Sequence, residues 1–179
     1  LLGSKYNANS LGIAYIASYL NKRGHDAWLY NADYVSDYGY IKIKKIFSNF
    51  NSYKDYFKDK DNAIWHEVKD NIIRFKPDWV GYTSYTANIS AIKIISDHVK
   101  KVDPSIKQVV GGVHATLDSD ILDTLPSIDY SIQREGEEAF TALVENKNPK
   151  LIPGVVSRDE GGILFKTGIA PVIKNIDNL

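Results

Sequence analysis

Three short loops in this sequence contain residues that could bind a ligand, and each loop follows an apolar stretch. The candidate residues are Thr83, Ser84, Tyr85 and Thr86 in the first loop, Gly111, Gly112, Val113 and His114 in the second, and Glu135, Gly136 and Glu137 in the third. A fourth group opens the first predicted helix and consists of Asn9, Ser10, Leu11 and Gly12. Small residues and hydroxyls allow a flat ligand to lie against the backbone and form neutral hydrogen bonds with it. The start of a helix can in addition hold a phosphate.

The second loop is the most informative of the three because it contains two consecutive glycines. Residues without a Cβ can adopt a positive φ and leave room for a ligand or for a crossing backbone. In open parallel sheets, ligands bind outside the carboxyl ends of the strands, where such loops lie. Gly111 and Gly112 therefore indicate either a ligand-binding loop or a plain tight turn, and the companion loops favour the ligand.

Two of the loops contain groups that could transfer protons, and each has a simpler explanation. Glu135 and Glu137 flank a glycine and could act as general acid and base, or they could cap the helix that starts near Glu138. His114 closes the glycine loop and could contact a ligand, or it could bond to nearby backbone. The residues alone leave both questions open.

Several other chemistries are excluded by what the sequence lacks. Without cysteine, the chain cannot form disulfides, thiolate metal sites or iron–sulfur ligation of its own. The G-x-G-x-x-G fingerprint, the phosphate-cradling G-x-x-x-x-G-K-[ST] motif and the G-x-S-x-G elbow are absent. The histidines show no metal-ligand spacing, and they are His25, His66, His98 and His114. We expect no metal site and no complete catalytic constellation in this chain.

Composition narrows the class of protein further. The 179 residues suit one domain with a sizeable core. Lys and Arg together number 22, as do Asp and Glu, so this neutral chain is not expected to bind nucleic acid. No apolar run is long enough for a membrane span and no signal peptide is visible, so we expect a cytoplasmic protein.

Alternating strand and helix patterns would bring the loops together at one edge of a sheet. A first strand is predicted to end at Leu1-Leu2, and four further strands are predicted over residues 25–31, 78–83, 108–111 and 129–133. Helices are predicted over residues 11–23, 89–102 and 138–145. This order predicts an α/β fold, a Rossmann-like (flavodoxin-like) and mostly parallel sheet with helices on both faces.

Two segments depart from this alternation. Residues 34–76 are rich in aromatic and charged side chains, and they are predicted to form a helical insertion with helices over 40–50 and 63–75. Its aromatic residues could cover a ligand or pack the insertion onto the body. The sequence pattern over residues 154–166 predicts a C-terminal β-hairpin, and a linker follows it. We therefore divide the chain into a domain at 1–150 and a hairpin with linker at 151–179.

Four motifs, in order along the chain, resemble those of a known family. They are the first helix with Arg23-Gly24-His25, the strand at 78–83 ("PD-x-VG"), the loop at 111–116 ("GG-P/V-HAT") and the loop at 134–137 ("GEGE"). Together they resemble the N-terminal cobalamin-binding domain of radical S-adenosylmethionine enzymes. The branch with the anaerobic magnesium-protoporphyrin ester cyclase and many methyltransferases is the most similar.

The resemblance implies that cobalamin lies against the carboxyl edge of the sheet. It implies that the nucleotide tail lies between the loops at 83–86 and 111–114. The best-known cobalamin domains supply a histidine to cobalt from a D-x-H-x-x-G loop, but no histidine precedes Gly24 here. The resemblance therefore implies base-off cobalamin without a histidine lower ligand, with Tyr85 and residues 7–10 near the lower face.

This sequence departs from the family pattern because it lacks the cysteine motif of these enzymes. The C-x-x-x-C-x-x-C motif is missing, so S-adenosylmethionine and the [4Fe-4S] cluster would belong to a catalytic barrel of the same polypeptide beyond Leu179. The chain also lacks methionine, and we expect it to be a piece of a longer protein that is not catalytic alone. Two rival hypotheses are a degenerate scaffold domain without cobalamin and an unrelated enzyme that uses Glu135 or Glu137 as a base.

Overall fold

The computed structural model of the chain describes residues 11–30, 55 and 57–173. Several predictions fall outside these residues: the first strand, Asn9, Ser10, the helix over 40–50, most aromatic residues of the insertion and the end of the linker. No helix in the described part of the chain is both long and apolar enough to span a membrane.

A five-stranded mixed sheet forms the centre of the described structure. Its strands are adjacent in chain order, β1 (Trp79–Thr83), β2 (Lys107–Gly111), β3 (Tyr130–Ile132), β4 (Val155–Arg158) and β5 (Leu164–Lys166). The first three strands are parallel, and β4 and β5 are antiparallel to their neighbours. The predicted α/β architecture is thereby confirmed.

Helices cover both faces of this sheet, as the contacts of the two valines of β2 illustrate. Successive residues of a strand point to opposite faces. Val109 packs against α6 (Glu137–Val144) through Ala139 and Leu143. Val110 belongs to a separate cluster with Ile92, which lies on α3 (Ile89–Val102). Both faces of β2 are therefore buried at these valines, as expected of a parallel strand between helical layers.

The strongly periodic helices were predicted well. The first helix, α1, runs from Leu11 to Asn21, and Gly24 follows with a φ of +85°, the conformation that ends many helices. The insertion ends in α2 (Ala63–Phe75), with the predicted bounds. Within α2, Trp65 is buried at 3% exposure, whereas Ile73 is 49% exposed. Two short helices, α4 (Val113–Leu117) and α5 (Ile121–Thr124), lie between β2 and β3.

The predicted strand over 25–31 is wrong for residues 25–30, which form no regular structure. The side chain of Asn21 binds this segment, since its Oδ1 accepts the N–H of Ala27 at 2.8 Å and its Nδ2 donates to the Ala27 carbonyl at 3.2 Å. A backbone held in this way cannot offer the same groups to a neighbouring strand. Trp28 lies 72% exposed, so the apolar side chains that suggested a strand do not reach the core.

The C-terminal hairpin forms as predicted and extends the main sheet. Its first strand pairs with β3, with Ile132 opposite Val155. Because β5 is antiparallel to β4, it points in the same direction as β3 and ends at the carboxyl edge of the sheet. After β5 the chain passes close to Gly154, since a Cβ added to Gly154 would lie 2.7 Å from the Ala170 Cβ. Residues 167–173 therefore leave the sheet on the side of the predicted loops.

Candidate functional site

Ser84 joins the first two loops at the carboxyl edge of the sheet. Its N–H and its hydroxyl both donate to the Gly111 carbonyl, each at 2.7 Å. The hydroxyl also accepts the N–H of Ala115 at 3.0 Å, and the Ser84 carbonyl accepts the N–H of His114 at 3.1 Å. Ser84 is fully buried, so its polar groups hold the loops together beneath the surface.

The two glycines of the second loop serve different purposes. Gly112 has a φ of +97°, and an added Cβ would lie 2.8 Å from the Ser84 nitrogen and 2.9 Å from both the Ser84 carbonyl oxygen and Thr83 Oγ1. A Cβ on Gly111 would meet only the Ile132 carbonyl oxygen, at 3.7 Å. The space beside Gly112 is thus occupied by the chain's own crossing backbone.

Thr116 connects the second loop to the third. Its hydroxyl donates to the Gly112 carbonyl at 3.0 Å and accepts the N–H of Arg134 at 2.9 Å. Arg134 adopts a φ of +66°, which turns the chain sharply after β3. Thr116 was not among the predicted site residues, although it closes the "GG-P/V-HAT" motif. The three loops form one hydrogen-bonded surface.

Of the fourth predicted group, Leu11 and Gly12 lie at the start of α1, which packs against α6, and Asn9 and Ser10 lie outside the described residues. The contact is close, because an added Cβ on Gly136 would lie 3.0 Å from Ile16 Cδ1. At the start of α1, Leu11 is 69% exposed, and among the described residues no atom would lie within 4 Å of a Cβ added to Gly12.

Three large apolar side chains at this edge of the sheet are exposed. Tyr85 is 49% exposed, Val113 is 57% exposed and Leu117 is 81% exposed. Large exposed apolar side chains grouped at a functional edge are typical of surfaces that a ligand or another domain covers. The edge thus combines neutral polar groups of the backbone with an apolar surface.

His114 is the one histidine of the sequence that lies in these loops. Its Nδ1 lies 3.0 Å from Thr86 Oγ1, and its Nε2 lies 3.8 Å from Asp118 Oδ2. Both ring nitrogens therefore face groups of the chain itself. By contrast, His98 on α3 is buried with its Nε2 2.7 Å from the Lys60 carbonyl oxygen, which fixes the insertion to the body.

The two glutamates of the third loop have different environments. Glu135 is exposed, whereas Glu137 is 5% exposed and its Oε2 has no hydrogen-bond partner among the described residues. Burial raises the pKa of the Glu137 carboxyl, and the charge of Glu135 adds to this rise, while the backbone N–H groups of Gly136 and Glu137 oppose it. The N-cap residue of α6 is Gly136, with no side-chain cap.

A pH-dependent stability difference follows for the Glu137→Gln variant. Because the folded protein holds the Glu137 proton more tightly than the unfolded chain does, ionisation of this group opposes folding as pH rises from the unfolded pKa to the raised folded pKa. Urea unfolding of both proteins at about pH 4 and about pH 7.5 should show the variant gaining stability over the wild type at the higher pH. A difference that is constant with pH would contradict this prediction.

Two features of the described residues concern other possible sites. The described residues contain no group of three or more His, Asp or Glu side chains that could hold a metal ion. A cleft of about 700 Å³ opens among Lys76, Trp79, Lys107 and Tyr130. This cleft lies at the amino ends of the parallel strands and is separate from the candidate site.

Comparison with known proteins finds relatives that match about two thirds of this chain. The anaerobic magnesium-protoporphyrin IX monomethyl ester cyclase of Rubrivivax gelatinosus is 28% identical over 121 residues, covering 63% of this chain and 22% of that protein. An uncharacterised methyltransferase of Pyrococcus horikoshii is 27% identical over 124 residues, covering 66% of this chain and 27% of that protein.

A solved structure shows the same fold. The radical S-adenosylmethionine methyltransferase TsrM of Kitasatospora setae, solved with cobalamin and a [4Fe-4S] cluster, matches 96% of this chain with a TM-score of 0.61 and 16% identity. The match covers 28% of the TsrM chain. This chain therefore spans about a quarter of the length of the proteins that it resembles.

The family itself is established by a match over most of the sequence. Residues 2–144 fit the model of the B12 binding domain, and this range includes the four motifs on which the resemblance was based. The resemblance inferred from the sequence is thus confirmed, and the chain belongs to the B12-binding domain family.

Proposed function

We propose that this chain binds cobalamin at the carboxyl edge of its sheet, as the cofactor-holding domain of a radical S-adenosylmethionine enzyme. The observation that carries the proposal is the single hydrogen-bonded surface of three loops, with Tyr85, Val113 and Leu117 exposed above it. Backbone and hydroxyl groups suit the neutral amides of the cofactor, and exposed apolar side chains suit its flat ring. Bound cobalamin supplies a cobalt centre that can carry a methyl group.

The residues of the chain would bind and orient the cofactor. The backbone of Gly111 and Val113 would line the nucleotide tail and Tyr85 would lie near the lower face of the ring, while Ser84 and Gly112 hold the glycine loop in place. The remaining predicted residues stay predictions, and they are Asn9, Ser10, Leu11, Gly12, Thr83, Thr86, Glu135, Gly136 and Glu137. Asn9 and Ser10 lie outside the described residues.

We further propose that the lower face of cobalt has no histidine ligand. All four histidines of the sequence lie within the described residues, and His114 alone belongs to the candidate loops. Its two nitrogens face Thr86 and Asp118, so coordination through either nitrogen would require the present contact of that nitrogen to be broken. The cofactor would then bind base-off, with water or a nearby side chain below the cobalt.

The course of the chain supports a catalytic barrel above the cofactor. Residues 167–173 leave from the carboxyl edge, where Ile169 and Val172 are 61% and 63% exposed. We propose that the catalytic barrel lies on this side and covers the cofactor face of the sheet. The S-adenosylmethionine and [4Fe-4S] sites would belong to that domain, with methyl transfer or cyclisation as the reaction of the full protein.

Titration with hydroxocobalamin, followed by gel filtration and visible absorption, tests the proposal. We expect about one cobalamin per chain to co-elute with the protein, with a dissociation constant in the micromolar range or below. Failure of the folded protein to take up cobalamin would contradict the proposal and favour the scaffold hypothesis.

Electron paramagnetic resonance of the Co(II) form then tests the lower ligand. An axial nitrogen splits each cobalt line into a triplet, so we expect spectra without this splitting in the wild type and an unchanged spectrum in His114→Ala at saturating cobalamin. A triplet that disappears in His114→Ala would show that this histidine coordinates cobalt. In that case cobalamin binding would stand and the histidine-free site would be wrong.

A further inference from the structure

Three side chains form a linear chain between the first two loops of the candidate site. The Thr86 hydroxyl oxygen lies 3.0 Å from Nδ1 of His114. On the other side of the same ring, Nε2 lies 3.8 Å from Oδ2 of Asp118. Thr86 is exposed at the carboxyl edge, whereas 22% of the His114 side chain is accessible. In this chain of side chains, the Thr86 end is thus exposed at the edge where we place the cofactor, and the other end is the carboxylate of Asp118.

The carboxylate of Asp118 determines which nitrogen of the ring carries the proton. A neutral imidazole has one N–H donor and one acceptor nitrogen, and the neighbours of each nitrogen select the tautomer. A negative charge 3.8 Å from Nε2 favours the proton on that nitrogen, which leaves Nδ1 as an acceptor. Thr86 must then donate its single hydroxyl hydrogen to His114. The outward lone pairs of the Thr86 oxygen can therefore only accept a hydrogen bond.

We infer that the Asp118–His114–Thr86 chain makes Thr86 an obligate acceptor, which receives an N–H from a carboxamide of the corrin ring. This inference rests on the proposed cobalamin site, because cobalamin carries several such carboxamides around its ring. Thr86 contacts the ligand, whereas His114 and Asp118 are positioning residues that act through it. Asp118 follows His114 by four residues on one helical turn, a spacing at which side chains meet.

The tautomer of His114 is measured directly in the wild-type protein. Long-range proton–nitrogen correlation spectra of protein labelled with nitrogen-15 at histidine, recorded at about pH 8 where imidazole is normally neutral, report which nitrogen is protonated. The His114 signals are assigned by their loss in His114→Gln. We expect the proton on Nε2, with a shift toward the other tautomer in Asp118→Asn. A proton on Nδ1 in the wild type would overturn the inference.

Cobalamin affinity tests whether Thr86 accepts a bond from the ligand. Thr86→Val keeps the shape but removes the oxygen, and we expect about a tenfold loss of affinity, the value of one hydrogen bond. Thr86→Ser keeps the hydroxyl and should stay within about threefold of the wild type. The matched control Thr124→Val changes an exposed threonine of a neighbouring short helix and should leave affinity unchanged.

A double-mutant cycle tests whether Asp118 acts through Thr86. We expect Asp118→Asn to weaken binding in the wild type and to have no further effect in the Thr86→Val background. The exposed Asp123→Asn is the matched control for loss of one carboxylate. Additive losses would show an independent, structural role of Asp118 and would overturn the positioning role.

The source of the donated hydrogen is tested with cobinamide, which has the corrin carboxamides but lacks the nucleotide. We expect the loss in Thr86→Val to be the same for cobinamide and cobalamin. A loss seen only with cobalamin would assign the donor to the nucleotide tail and overturn the carboxamide. If the wild type binds neither ligand, the proposed function fails; if it binds both and Thr86→Val binds equally well, this inference alone fails.

Discussion

Gly112→Ala should lower the free energy of unfolding by roughly 2–6 kcal/mol, although it adds one methyl group. A side chain at a φ of +97° and a ψ of −173°, a conformation that almost only glycine adopts, costs about 1–3 kcal/mol. The added Cβ would also lie 2.8–2.9 Å from the backbone of Ser84, so the loop must shift, at a further cost of about 1–3 kcal/mol. Urea unfolding measures the change, and cobalamin titration of the folded fraction should show the loss of the proposed site.

Gly111→Ala is the matched control for this prediction. Its added Cβ would lie 3.7 Å from the Ile132 carbonyl oxygen, an ordinary contact, so we expect a change below about 1 kcal/mol. The larger Gly112→Val should be no less destabilising than the alanine variant. Equal stability of the Gly111 and Gly112 variants would show that Ser84 can move at little cost, and a ligand rather than the backbone would then explain the glycine.

Gln108→Leu should destabilise the protein by about 2 kcal/mol or more, because it removes three hydrogen bonds that a buried side chain makes to its surroundings. Gln108 is fully buried on β2. Its Nε2 donates to the carbonyls of Ser96 at 3.0 Å and Ser127 at 2.9 Å, and its Oε1 accepts the Tyr82 hydroxyl at 2.5 Å. Burial raises the pKa of Tyr82 well above its usual range, so this hydroxyl remains a donor. Chemical unfolding measures the loss.

Two comparisons separate lost hydrogen bonds from lost packing at Gln108. Gln133→Leu makes the same change at a partly exposed position and should alter stability by less than about 1 kcal/mol. Tyr82→Phe removes one of the three partners, so the double variant with Gln108→Leu should lose less than the sum of the single losses. Additive losses would contradict a shared network between these side chains.

Local patterns determined much of the fold that could be predicted. The helix at Ala63–Phe75 shows apolar periodicity and ends before Pro77, and the helix at Ile89–Val102 ends before Pro104, so both bounds follow from neighbouring residues. The segment at 25–30 has apolar residues typical of a strand, but strand formation depends on a partner from elsewhere in the chain. Its backbone bonds to Asn21 instead, which no periodicity reveals.

The candidate site could be located from the sequence, but its internal roles could not be assigned. Loops after successive parallel strands must share one edge, so the position of the site follows from the order of the elements. The partner of Gly112 is Ser84, which lies far from it in the chain and is brought close by the pairing of β1 with β2. A glycine pair alone cannot show whether a ligand or the protein fills the space beside it.

The bonds that Ser84 makes to both ends of the second loop affect the thermodynamics of binding. With the carbonyl of Gly111 and the N–H groups of His114 and Ala115 already held, this backbone has little conformational freedom to lose when a ligand arrives. Preorganisation of this kind lowers the entropic penalty of association. We therefore expect little change in hydrogen-exchange protection of the amides of His114 and Ala115 when cobalamin is added.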